Sequence, residues 1–280
     1  MSDAKPTVYV QGAATSDLLY RTFGANKRVL SNLRVSREHP QLKSTSIRPG
    51  MTLDELARLG TRDHAISWSV FRALWTELTA TGPAPGFEDK FQPRPPLLVA
   101  VDNLDHWMKD SKYRSAEFEP IHAFDLAFVR HFVSLLKPGV ESLPNGGLLL
   151  YATSASNCPT IPSFNVALKQ LEARQKGMES SSPDFPRPEP YDPSDVRVLD
   201  AFNDDKAAAM EKNKEAGPLE LQRLAGLSRE EARGYMDYFA RSGLLREVVS
   251  DETVGEKWTL AGGGVIGELE KLGKRLRVIA

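Results

Sequence analysis

The residue best placed to do chemistry is Asp102, because of what precedes it. Leu97-Leu98-Val99-Ala100-Val101 is a continuous apolar run that ends at this aspartate. An apolar strand closed by Asp is how nucleotide-hydrolysing enzymes with a phosphate-binding loop set a carboxylate at the carboxyl edge of a parallel sheet. There it holds the Mg²⁺ that bridges the nucleotide phosphates. A second run, Leu148-Leu149-Leu150-Tyr151-Ala152, ends in Thr153-Ser154, with Asn157 nearby. Polar groups at that edge can sense a terminal phosphate or an attacking water, although Ser and Thr after a strand also simply cap the next turn. Two features oppose a working hydrolase. No G-x-x-x-x-G-K-[ST] loop occurs in the 280 residues, so nothing in the sequence cradles phosphates. Asp102 is followed by Asn103 rather than by a Glu that could activate water, and Asp105 is a poor substitute on spacing.

Other chemistries lack their residues. His39, His64, His106, His122 and His131 show no metal-ligand spacing, and no H-E-x-x-H or G-x-S-x-G occurs. Cys158 is the only cysteine, which excludes a disulfide framework and a Cys-rich zinc site, and it has no evident His or Asn partner.

The elements that must position Asp102 follow from periodicity and caps. The spacing predicts a helix over 15–33 and an extended basic loop over 34–50. A helix is then opened by Thr52-Leu53-Asp54-Glu55, which fits a capping box, with Gly60 as a stop. A longer helix is expected over 63–79, carrying Val70, Leu74 and Leu78, with Trp68 and Trp75 as packing residues. Residues 81–96 are Pro-rich and read as a connection. Between the two apolar runs a buried helix is expected over Pro120–Leu136. Strand, buried helix, strand is the pattern of a parallel βαβ unit. Further on, 180–193 reads as a Ser/Pro-rich linker and 194–214 as a charged helix. Residues 219–224 read as a short strand or turn. Ser228-Arg229-Glu230-Glu231 is a second capping box, opening a helix to Ser242. Leu244–Leu260 is expected as a hairpin, and a last helix follows Gly262-Gly263-Gly264.

Lys plus Arg is 36 and Asp plus Glu 37, so the whole chain is near neutral, but the ends are not. Residues 1–50 have a net charge of +5, from Lys5, Arg21, Lys27, Arg28, Arg34, Arg37, Lys43 and Arg48 against three acids. The last ten residues carry Lys271, Lys274, Arg275 and Arg277 and no acid. Such basic ends can meet phosphates, or can serve as solvated faces. The stretch 219–280 is neutral, which disfavours a winged-helix DNA reader built on helix 228–242. No apolar run approaches the ~18 residues of a membrane span, and the start has neither a secretory nor a transit-peptide pattern.

Pro95-Pro96-Leu97-Leu98-Val99-Ala100-Val101-Asp102-Asn103-Leu104-Asp105-His106-Trp107, continued by Ser111-Lys112-Tyr113-Arg114-Ser115 and Ile121-His122-Ala123-Phe124-Asp125-Leu126, resembles the mitochondrial small-subunit ribosomal proteins of the death-associated protein three family, the fungal members above all. Tyr9-Val10-Gln11 with Thr15 and Leu18-Leu19 agrees upstream. Leu227–Gly234 and Tyr238–Gly243 agree downstream. The resemblance implies an α/β fold: part of an AAA-type P-loop NTPase core, with a small, mainly helical C-terminal region. The expected division is 1–179 for the core part, 180–215 for linker and charged helix, and 216–280 for a last core strand and helical lid. The resemblance also implies a structural constituent of the mitochondrial ribosome, in the matrix. Its partners would be small-subunit rRNA and neighbouring mitoribosomal proteins, with no homo-oligomer and no membrane span. Guanine nucleotide, GTP or GDP with Mg²⁺, is the family's cofactor. Asp102 falls on its Mg²⁺-holding aspartate, through water, and Thr153 and Ser154 fall near its phosphate sensor. The family's phosphate loop precedes the segment matched here. Met1 is therefore expected to be an internal start, with no cofactor for this chain alone and no enzymatic role. Arg21, Lys27, Arg28, Arg34, Arg37, Lys43, Arg48, Lys274, Arg275 and Arg277 become the candidate RNA contacts. An active GTPase or ATPase switch, and a winged-helix regulator, stand as alternatives.

Overall fold

The first helical stretch is expected to be continuous but comes in three pieces: α1 (Gly12–Leu18), a π-helical turn at Leu19–Phe23, and α2 (Lys27–Leu30). Leu19, in the wide turn, is buried against Gly60. That glycine does not end its helix. It lies inside α3 (Leu53–Arg62), where a Cβ would stand 2.4 Å from Leu19 Cδ1 and 3.1 Å from Val70. Gly60 is a packing notch rather than a stop, because close helix approach leaves no room for a side chain. The N-terminus of α3 is set as expected: the Glu55 N–H donates to Thr52 Oγ1 at 3.2 Å and the Thr52 N–H donates to Glu55 Oε2 at 2.8 Å. Helix α4 (Ser67–Leu78) packs on α3, burying Val70, Phe71, Leu74 and Leu78.

The structure is a computed structural model describing residues 8–43, 45, 47–48, 50–136, 143–153, 159–191, 194–203, 219–245 and 247–274. Lys5, Ser154, Asn157, Cys158, Arg275 and Arg277 lie outside the described residues.

Strand β1 (Leu97–Val101) is followed by a hairpin of β2 (Asp110–Arg114) and β3 (Pro120–His122), then by α5 (Ala127–Ser134) and β4 (Gly147–Tyr151). The two apolar runs pair in parallel, from Leu97 opposite Gly147 to Val101 opposite Tyr151, as the βαβ pattern requires. Gly147 (φ +151°) makes the first pair possible, since a Cβ there would stand 2.1 Å from the Leu97 carbonyl oxygen. The helix expected over Pro120–Leu136 is shorter. Its first turn is replaced by β3, paired antiparallel with β2, and by a 3₁₀ turn whose Phe124 N–H is capped by His122 Nδ1.

Among the described residues the parallel sheet has only these two strands, and it is covered on one side. Val99 is buried, with Leu97, Val101 and Leu149 packed against the α3–α4 cluster. On the opposite face Leu98, Leu148 and Leu150 are 67%, 58% and 52% exposed. Continuous apolar runs normally mark strands buried on both faces.

Two compact units are present: Met1–Ala152 with Thr160–Leu219, and Thr153–Pro159 with Glu220–Ala280. The first also contains α6 (Pro162–Gln175) and α7 (Val196–Ala201). The Ser/Pro-rich stretch read as a linker packs within this unit. Phe185 is buried under the Arg174 guanidinium, and Gln170 Nε2 donates to the Pro186 carbonyl. Only Val196–Ala201 of the expected charged helix is helical among the described residues.

The second unit holds α8 (Arg229–Arg241), α9 (Asp251–Leu260) and α10 (Ile266–Lys274) around Met236, Phe239, Val254 and Leu269. Two expectations fail in this part of the chain. Residues 219–227 form no strand, and Leu224 is largely exposed, so the last core strand is absent from the described residues. The hairpin expected within 244–260 is helix α9, because Ser250 caps it by accepting the Thr253 N–H. A winged-helix reading loses its wing. Gly264 (φ +83°) lets the chain return closely: the Leu227 N–H donates to its carbonyl, and Trp258 Nε1 donates to the Leu227 carbonyl at 2.6 Å.

Candidate functional site

The carboxyl edge of β1 is where sequence reasoning puts chemistry. The Ala152 N–H donates to the Val101 carbonyl, and the Leu104 N–H donates to the Ala152 carbonyl, so the ladder continues one step past each strand. Asp102 is exposed, and its Oδ1 accepts the Asn103 N–H at 2.8 Å. Asn103 is left-handed (φ +57°), a conformation Asn tolerates better than most residues. It turns the chain into the 3₁₀ turn Leu104–Trp107 and drives Asp105 inside.

Asp105 is 1% exposed, and neither carboxylate oxygen has a hydrogen-bond partner among the described residues. His106 Nε2 lies 3.7 Å from Asp105 Oδ2. Thr153 is exposed and belongs to the second unit.

One exposed carboxylate does not make a nucleotide site. The sequence has no phosphate loop, and among the described residues no three His, Cys, Asp or Glu side chains converge on a point where a cation could sit. The described residues do not by themselves fit a magnesium nucleotide.

The basic N-terminal segment resolves into residues with different duties. Arg21 pairs with Asp17 at 2.8 Å on the helix surface. Arg37 turns inward, its Nη2 donating to the Gly82 carbonyl, and is therefore a weak candidate for RNA contact. Arg34 Nη1 donates to the Gly50 carbonyl at 2.6 Å and holds the turn that carries Arg48. Lys27, Arg28, Lys43 and Arg48 are exposed, and Lys274 is the last residue of α10. Arg58 and Arg62, one turn apart on the outer face of α3, join Arg48 around a groove of about 580 Å³. Sequence reasoning placed the helix but missed the pair, although an i,i+4 arginine spacing was legible there.

A second buried carboxylate, also missed, does structural work. Glu77 of α4 is fully buried. Its Oε1 accepts the Ser36 N–H at 2.9 Å and faces His39 Nε2 at 3.0 Å. Its Oε2 accepts the Ser36 hydroxyl and Arg94 Nη2, both at 2.7 Å. Burial pushes the Glu77 carboxyl up, but the His39 and Ser36 hydrogen bonds and the Arg94 charge outweigh it and hold the group below its usual range.

Trp75 and Phe71 enclose His131 edge-on, with ring centroids 4.6 and 5.1 Å away, and burial pushes the imidazole down to about 4. His131 is therefore a packing ring whose imidazole burial keeps neutral at physiological pH.

Comparison with known proteins gives the frame for these observations. The family described as mitochondrial ribosomal death-associated protein 3 matches residues 1–272. The small ribosomal subunit protein mS29 of Neurospora crassa is 37% identical over 264 residues, covering 94% of this chain and 50% of the relative. The chain thus spans about half the length of the curated relative it matches. No helix among the described residues is long and apolar enough to cross a membrane. The match runs through the Asp102 edge, the α3–α4 layer and the C-terminal helices alike. The compartment is therefore the mitochondrion, and the chain belongs to the mitochondrial ribosomal death-associated protein 3 family.

Proposed function

We infer that this chain is a structural constituent of the mitochondrial small ribosomal subunit, binding its rRNA and neighbouring ribosomal proteins, and that it is not a catalyst. The observation that carries the reading is a family match along almost the whole chain, combined with a strand edge that keeps one carboxylate and no phosphate cradle. Phosphoryl transfer depends on positioned phosphate-binding groups, and those are not among these residues.

The parallel pair β1–β4 and its uncovered apolar face fit part of a P-loop-type core whose other face is closed by protein outside the described residues. In a longer family protein that supplies a phosphate loop, Asp102 would hold Mg²⁺ through water, with Thr153 and Ser154 as polar neighbours of a guanine nucleotide. In this chain the fold serves as a degenerate version of that scaffold. The switch reading requires turnover of GTP by the purified chain that is lost in Asp102→Ala.

Gentle affinity capture of the tagged protein from mitochondria tests the ribosomal reading. Co-purification of small-subunit rRNA with small-subunit proteins, in excess over large-subunit material, is expected. Capture of neither, under conditions that recover other small-subunit proteins intact, would overturn it.

A further inference from the structure

We propose that the groove between α3 and the turn at Arg48–Met51 is a contact site for the sugar–phosphate backbone of single-stranded RNA, with Arg48, Arg58 and Arg62 as the phosphate-binding residues. This inference rests on the ribosomal reading above and gives it a location.

The groove is built from pieces fixed by the rest of the fold. Its floor is Met51 and Leu59, both partly buried on the core shared by α3 and α4. One wall is a turn closed by the Met51 N–H donating to the Arg48 carbonyl, with Gly50 in the left-handed region at φ +84°. That turn is pinned twice. Arg34 Nη1 holds the Gly50 carbonyl, and the Val35 N–H donates to the Met51 carbonyl at 2.9 Å. Arg48 therefore projects from a braced loop. The other wall is the exposed face of α3. Arg58 is steadied by Asp54 at 3.0 Å, which orients the guanidinium without burying it. Arg62 follows four residues on, about 6 Å along the helix axis. A stacked strand advances about 3.4 Å per nucleotide, so the two arginines span roughly two phosphates.

The acids nearby are already engaged. Glu55 lines the groove, but its Oε2 accepts the Thr52 N–H and hydroxyl at the start of α3. Those bonds hold its carboxyl below the usual range and tie its charge to the helix cap. Asp54 is taken by Arg58. The Arg48 and Arg62 guanidinium groups face an apolar floor, with Arg58 held beside them by Asp54. Such forks match phosphate oxygens, and the floor suits a ribose or an unstacked base. An acidic protein segment would use the same charges but gains nothing from the regular spacing, so RNA is the occupant the geometry favours.

The test uses the purified full chain and a labelled, mixed-sequence 20-nucleotide single-stranded RNA, with binding followed by anisotropy between 50 and 200 mM KCl. Wild-type affinity should fall with salt. The double variant Arg48→Gln, Arg62→Gln should bind at least tenfold more weakly at 50 mM KCl. Its log–log salt slope should be shallower by about 0.7 for each phosphate that is no longer neutralised. Lysines at both positions should restore the slope and only part of the affinity, because the charge returns without the fork. Lys176→Gln, at the end of α6 and paired with Glu172, should stay within twofold of wild type. An unchanged affinity and slope in the double glutamine variant would overturn the groove while leaving the ribosomal reading intact. Binding of a poly-glutamate peptide without binding of RNA would overturn it in favour of a protein partner. Loss of small-subunit co-purification from mitochondria is the separate result that would remove the reading beneath it.

Discussion

Glu77 and Asp105 are both carboxylates with essentially no exposure, yet one corner of the protein is complete and the other is not. Glu77 (0% exposed) faces the Ser36 N–H, the Ser36 hydroxyl, His39 and Arg94, and Arg94 in turn reaches the Arg34 and Glu77 carbonyls. That network ties the loop at 34–39, the end of α4 and the approach to β1 into one piece. Asp105 (1% exposed) sits just past β1 with no hydrogen bond on either oxygen among the described residues, and with only His106 Nε2 at 3.7 Å beside it. The contrast extends to the apolar surfaces. The layer of α3 and α4 buries Leu53, Leu56, Phe71 and Leu74 completely, whereas the outer face of β1 and β4 leaves three leucines half exposed or more. A polar group buried without a partner is costly, and so is a naked apolar sheet face. Side by side in one unit stand a helical layer with a filled core and a two-stranded sheet whose outer face is open among the described residues.

The comparison can be broken first at Glu77. Glu77→Gln leaves the Arg94 charge buried without its counter-ion and should cost about 3–5 kcal/mol, read from the urea midpoint. The pH sign follows from the lowered carboxyl. Its stabilisation is present above the ordinary value of 4.5 and is lost as pH falls through the lower folded value. The variant should lack that acid-range loss. His131 gives the next effect. Its imidazole is held down to about 4 by burial, with Arg72 adding, against 6.5 when unfolded. Stability should therefore be flat above pH 6.5 and decline by about 3 kcal/mol as pH falls toward 4. His131→Phe should remove that decline in a pH series of thermal melts. Asp105→Leu sharpens the comparison by reversing sign: deleting a buried carboxylate that has no hydrogen bond among the described residues should stabilise the chain by about 1–3 kcal/mol. A loss of stability there would mean that Asp105 is paired as well as Glu77 is. The smallest effect belongs to the open face. Leu148→Thr and Leu150→Thr should each change the stability of the isolated chain by less than about 0.5 kcal/mol.

Much of the fold is legible in the sequence because local signals are strong. The Thr52 and Ser228 capping boxes open helices where their spacing puts them, and the two apolar runs are parallel neighbours. The misses have physical reasons. Gly60 resembles a helix stop because its role depends on Leu19, some forty positions away in sequence, and spacing does not carry that information. The β2–β3 hairpin is hidden because Ile121 and Phe124 fit a helical stripe as well as a strand end. Ser250 caps a helix where alternating residues suggest a hairpin. Of the candidate site, Asp102 at its strand end is legible. The buried Asp105 is not, because the left-handed Asn103 decides which way the chain turns. Glu77 carries a readable signal: it falls on the same helical face as Val70, Leu74 and Leu78, and a charge on an apolar stripe asks for a partner.

The most direct test of a structural role without catalysis is gradient sedimentation of mitochondrial lysate. It would compare the tagged full-length protein with its Asp102→Ala form. Both should travel with the small ribosomal subunit in equal amounts. A protein confined to the top of the gradient, or one displaced from the subunit by the Asp102 change alone, would contradict the account.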